Sequence, residues 1–136
     1  ADELAYSAHD IDDGVRSGLI SLEQLQELPV IAQLQRSVLH DHPQIAGRRL
    51  LFEIIRRLIS AQVFDAVEAT RAALATQRID SLQAVRAAPP LVQLSSTLRE
   101  QTTLTKQWLF QNLYRHPQVG QTTSQAQTMV ARLFTA

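Results

Sequence analysis

From Pro43 to Gln77 the chain meets no second proline, and Gly47 is its one glycine. Within that stretch Leu51, Ile55, Leu58, Ile59, Val63, Ala66, Val67 and Leu74 recur at spacings of three, four and seven. That is the period of one helix face and not the alternation of a half-buried strand. The spacing predicts a single long helix over about 43–77, serving as the spine of the core, with Thr70 as a polar break in its stripe.

The remaining breakers and caps cut the chain into further helices. Gly14 suits the left-handed position that closes a first helix after Asp13. Ser21 and Gln24 have capping-box spacing, and Pro29 fits the first position of a helix that stops before Pro43. Asp80 and Gln83 can cap a short helix through Val85, and Pro89-Pro90 mark a bend. Thr97 and Glu100 suit the start of a second long helix over about 97–116, ended by Pro117. Thr122 and Gln125 can open a last helix with Ala126, Met129, Val130, Leu133 and Phe134 as its apolar stripe. The expectation is all-α: one domain over 1–136, a compact bundle of about six or seven helices, two of them long. A chain of this length can bury about two-thirds of its unfolded surface.

Charge and composition exclude several classes. Thirteen basic residues balance thirteen acidic ones, so nothing in the global charge favours nucleic acid or an anionic membrane. Cysteine is absent, which removes disulfides and thiolate metal sites and fits a reducing, cytoplasmic setting. No apolar run approaches the roughly 18 residues of a membrane span.

Two stripes carry polar chemistry. In the opening run Asp2, Tyr6 and Asp10 stand four apart on one helix face, spread over roughly 12 Å. Carboxylate, phenol and carboxylate in that order would suit a hard cation, a sugar ring and a sugar hydroxyl. The same residues also suit ordinary roles, since acids favour a first helical turn and tyrosines pack. Lys106, Phe110 and Tyr114 repeat the four-residue spacing, where a snorkelling lysine and packed aromatics are the plain alternative.

The run ADELAYSAHDIDDGVRSGLISLEQL closely resembles the stretch carrying the last metal-binding aspartate of the deoxynucleoside triphosphate triphosphohydrolases, the dGTPase-like branch of the HD-domain phosphohydrolases. The resemblance continues through RAAPPLV and LFQNLYRH to the end of the chain. It implies the C-terminal part of an enzyme that hydrolyses a dNTP, dGTP-like, to deoxynucleoside and triphosphate with a divalent metal such as Mn, Mg or Fe. Carried over by position, it makes Asp2 a metal ligand, Tyr6 and Tyr114 sugar contacts, Asp10 the acceptor for the 3′-hydroxyl, and Lys106 the phosphate contact. Some relatives have arginine where this chain has Lys106, which keeps the charge and loses the bidentate fork. In the family the other metal ligands, a His and a His-Asp pair, lie upstream of the aspartate. The expectation is therefore that the 136 residues alone hold no metal tightly and catalyse nothing, and that the intact protein is a homo-oligomer.

Two histidine groups look ligand-rich without fitting that scheme. His9-Asp10 follows the metal aspartate and is not assigned to it. His40-Asp41-His42 places neighbours two apart, which diverge on a helix. Arg48, Arg49, Arg56 and Arg57 form a basic band in which Glu53, four from both Arg49 and Arg57, predicts intrahelical ion pairs. A regulatory phosphate contact at a subunit interface is the second reading of that band. For the chain as a whole, the reading of a different class is a non-catalytic helical module for assembly or regulation.

Overall fold

The computed structural model describes residues 2–135, with side chains over 5–134. Six α-helices follow one another among the described residues: α1 Asp2–Arg16, α2 Pro29–Asp41, α3 Gly47–Thr76, α4 Leu82–Ala87, α5 Ser96–Leu109 and α6 Pro117–Thr135. A 3₁₀ turn, Gln24–Glu27, precedes α2, and a π turn, Phe110–Tyr114, continues α5. No strand occurs among the described residues, so the all-α expectation holds. No described helix is long and apolar enough to cross a membrane.

The core sits where α1, α2, the first half of α3 and the end of α5 meet. Its fully enclosed side chains are Ile11, Leu25, Ile31, Val38, Ile54 and Leu109. Leu50, Leu51, Ile54, Leu58 and Gln62 form the buried face of α3. Ile59, Val63 and Val67, expected inside, are exposed. The apolar residues of α3 cover more than one face, and α1 and α2 claim only the face phased on Leu51, Ile54 and Leu58. Tertiary contact, not periodicity, selects the phase.

Several boundaries follow the predicted chemistry. Ser21 and Gln24 make the reciprocal capping box, with Ser21 N donating to Gln24 Oε1 at 2.8 Å and Gln24 N to Ser21 Oγ at 3.2 Å. Pro29 opens α2. Others move. The long helix starts at Gly47 and not Pro43, because residues 42–45 turn, with Ile45 N donating to His42 O at 3.0 Å. Ser81 caps α4 in place of Asp80, and Ser95 caps α5 in place of Thr97, accepting from Leu98 N at 3.2 Å. Asp65 on α3 fixes that cap from behind, accepting from Ser95 N at 2.8 Å. The last helix starts at Pro117, so this proline both ends one element and begins the next.

Gly14 does not close α1. The helix runs on to Arg16, and Gly18, at φ +73°, takes the left-handed position. What Gly14 provides is room: a Cβ there would stand 2.8 Å from Ile20 Cδ1 and 3.2 Å from Leu113 Cδ1. The approach lets the chain after α1 and the π turn close on the same point. Trp108 ties α5 to the 3₁₀ turn by donating from Nε1 to Glu27 Oε2 at 2.8 Å.

Candidate functional site

Ser7, Ala8 and Ile11 face the core, which leaves Tyr6 and Asp10 on the flank of α1 that looks toward α5. On α5 the inward residues are Leu98, Thr102, Thr105, Trp108 and Leu109, which leaves Lys106, Gln107 and Phe110 on the facing flank. Between the two helices opens a pocket of about 710 Å³ lined by Tyr6, Ser7, Asp10, Lys106, Gln107, Leu109, Phe110 and Tyr114. Tyr6 and Asp10 form one wall, and Lys106, Phe110 and Tyr114 from the other sequence stripe form the second.

The walls are joined at one point, where the Tyr114 hydroxyl donates to Asp10 Oδ2 across 104 residues of sequence. Burial, and then the Asp10 carboxylate, push the Tyr114 phenol up to about 12, so at neutral pH it stays a donor. Its position depends on the π turn, in which Arg115 N donates to Phe110 O at 3.1 Å. A wide turn of this kind re-aims the side chains it carries, and such turns are frequent at functional sites.

Tyr6, Asp10, Lys106 and Tyr114, the four residues to which the sequence resemblance gives substrate contacts, all border this pocket. The side chain of Asp2 lies outside the described residues. Sequence reasoning passed over Ser7, Gln107 and Leu109. Ser7 could have been found from its three-residue spacing to Asp10 on the same helix.

Other expectations find different partners. Glu53 is taken by Arg56, in a two-pronged pair of 2.6 and 2.8 Å, and by Arg57 at 3.0 Å, rather than by Arg49. Arg56 and Arg57 hold its carboxyl down to about 2. Arg57 also donates to Ser37 Oγ and Asp41 Oδ2, both at 2.7 Å, so it clamps α2 to α3. Arg48 lies over the Phe52 ring at 4.9 Å.

A metal cage is not assembled by the described residues, among which no three His, Asp or Glu side chains come together. Asp41 is engaged by Arg57, and His40 touches it only through Nδ1 at 3.3 Å. These residues do not fit a bound divalent ion.

Residues 92–136 match the family pattern of the phosphohydrolase-associated domain. Over 134 residues the chain is 46% identical to a deoxyguanosinetriphosphate triphosphohydrolase-like protein of Ralstonia nicotianae, covering 98% of this chain and 35% of that protein. A relative of the same name from Bordetella pertussis is 44% identical over 136 residues, 100% of this chain and 35% of its own length. A third, from Thiobacillus denitrificans, is 40% identical over 136 residues. Along its whole length the chain is similar to these deoxyguanosinetriphosphate triphosphohydrolase-like proteins. It spans about a third of the length of these relatives. Both walls of the pocket lie within the stretch shared with these triphosphohydrolase-like proteins, α1 near its start and the π turn inside the phosphohydrolase-associated region.

Proposed function

We propose that this chain supplies the sugar and phosphate contacts of a dNTP triphosphohydrolase, a hydrolase that converts a dGTP-like nucleotide to deoxynucleoside and triphosphate. One observation carries the reading: Tyr6 and Asp10 on α1, and Lys106 and Tyr114 on α5 and its π turn, border a single pocket. Asp10 accepts from the sugar 3′-hydroxyl, Tyr6 and Tyr114 flank the ring, and the Lys106 ammonium meets the triphosphate. Asp2 is a metal ligand in this reading, completed by groups that the described residues do not provide. A divalent ion supplies charge neutralisation at the phosphoryl group when bound. In this reading one carboxylate leaves a hard cation most of its water, so the 136 residues by themselves neither hold a metal tightly nor turn over.

Steady-state kinetics on the full-length protein test the division of labour. One ammonium–phosphate contact near 4 Å is worth roughly 1–4 kcal/mol depending on screening, so Lys106→Ala lowers kcat/KM for every dNTP by about tenfold to a thousandfold. Its preference for deoxyribose over ribose stays unchanged. Trimming Tyr6 or Tyr114 to Ala instead narrows the gap between dGTP and GTP, because a steric gate discriminates only while filled. Asp10→Asn weakens 3′-hydroxyl substrates more than 3′-deoxy analogues. Asp2→Ala loses bound metal with the fold intact. If Lys106→Ala alters sugar selectivity while both tyrosine variants leave it alone, the reading is wrong.

A specific feature favours assembly as a second role. Along α6 Met129, Val130, Leu133 and Phe134 stand exposed as one apolar stripe, the last at 87%. A homo-oligomer that covers this stripe is the form we propose for the intact protein.

A further inference from the structure

Phe110 borders the pocket beside Lys106 and Tyr114, yet none of the contacts above uses it. About half of its surface is exposed. The Arg115 guanidinium lies 4.7 Å from the centre of its ring. The Arg115 backbone N–H also closes the π turn on the Phe110 carbonyl at 3.1 Å. The two residues are thus joined twice, through backbone and through side chain. A cation over one face of a phenyl ring is held by the ring's quadrupole and limits its tilt, while the other face stays available. A phenyl group carries no hydrogen-bonding atom, so a flat apolar face is all it can offer a ligand. Tyr114, in contrast, is tethered through its hydroxyl to Asp10.

We infer that Phe110 is the stacking platform for the planar base of the nucleotide, and that Arg115 is a positioning residue holding the ring from behind. The inference rests on the nucleotide reading above and adds to it: phosphate at Lys106, sugar at Asp10, base at Phe110. Every base has a π face, so Phe110 contributes affinity and not choice among bases. Arg115 acts through its planar guanidinium, which an ammonium replaces only in part.

The test is equilibrium binding to the full-length protein of dGTP, deoxyguanosine and the abasic analogue 2-deoxyribose 5-triphosphate. Phe110→Leu keeps apolar bulk and removes the π face. It is expected to weaken dGTP and deoxyguanosine by about 5- to 150-fold, the usual worth of one base stack, and to leave the abasic analogue unchanged. Phe110→Trp keeps or strengthens binding of the two base-bearing ligands. Arg115→Met gives a smaller loss with the same ligand pattern, and Arg115→Lys falls between it and the parent. Equal losses for dGTP and the abasic analogue in Phe110→Leu, or no loss at all, overturn the stacking assignment and leave phosphate and sugar contacts standing. Unchanged binding in Arg115→Met overturns the positioning role. A parent protein that binds deoxyguanosine as tightly as dGTP overturns the triphosphate contact alone, and one that binds none of the three overturns the whole site.

Discussion

Replacing Gly14 by alanine sets two well-defined effects against each other. In a helix interior the change stabilises by about 1 kcal/mol, since glycine has more backbone freedom to lose. The new methyl would stand 2.8 Å from Ile20 Cδ1, 2.9 Å from Ile20 Cγ1 and 3.2 Å from Leu113 Cδ1. Carbon atoms rest at about 3.5–4.0 Å, so both neighbours must retreat by several tenths of an ångström. Ile20 is 3% exposed and Leu113 7%, and neither has solvent to retreat into. Overpacking of this kind costs about 1–3 kcal/mol. The packing term wins, and Gly14→Ala is expected to lose up to about 2 kcal/mol; at roughly 3–5 °C per kcal/mol for a chain of this size, Tm falls accordingly. Thermal and urea unfolding followed by far-ultraviolet circular dichroism read the change. Ile20→Val removes the closest atom at its own cost of about 0.5–1.5 kcal/mol. In the Ile20→Val background the 2.8 Å approach is gone while those to Cγ1 and Leu113 remain, so Gly14→Ala costs less than in the parent, a coupling of up to about 1 kcal/mol. An alanine variant about 1 kcal/mol more stable than the parent in both backgrounds would refute the close approach.

The Tyr114 phenol, pushed up to about 12, is predicted to titrate well above the ordinary tyrosine value of 10.0 in an absorbance titration. Asp10→Asn should bring it part of the way back, because burial is the larger cause and persists. Since the folded value is raised, the stability it contributes is complete below pH 10.0 and is lost as pH rises toward about 12. Glu53 has the opposite sign: held down to about 2 from 4.5, its contribution is present above pH 4.5 and lost as pH falls toward about 2. Glu53→Gln should flatten that acid limb of the stability curve, and an unchanged limb would mean that Arg56 and Arg57 do not act through its charge.

Local chemistry was legible where it was self-contained. Ser21 and Gln24 complete their capping box within four residues, and Pro29 needs no partner to open a helix. Tyr6–Asp10 and Lys106–Tyr114 could each be seen as one-sided stripes, and family resemblance suggested that they meet. Their geometry was not readable, because the π turn that re-aims Tyr114 has no local signature, and the pocket depends on packing between residues 104 apart. The phase of α3 was hidden for a related reason: Ile59, Val63 and Val67 are as apolar as Leu51, Ile54 and Leu58, and only neighbouring helices decide which set is covered. Gly14 was recognised as special, but as a helix end and not as the point where Ile20 and Leu113 close in.

The Asp10–Tyr114 contact makes the pocket a seam between segments 104 residues apart. A ligand seated there touches both sides, and neither side forms its half of the pocket in the unfolded state. Binding is therefore linked to folding, and ligand at a hundred times its Kd would add about 2.7 kcal/mol of stability to the whole chain. Such a ligand would act as a clasp, so separation of α1 from α5 would become rarer as occupancy rises and register as amide-exchange protection on both helices.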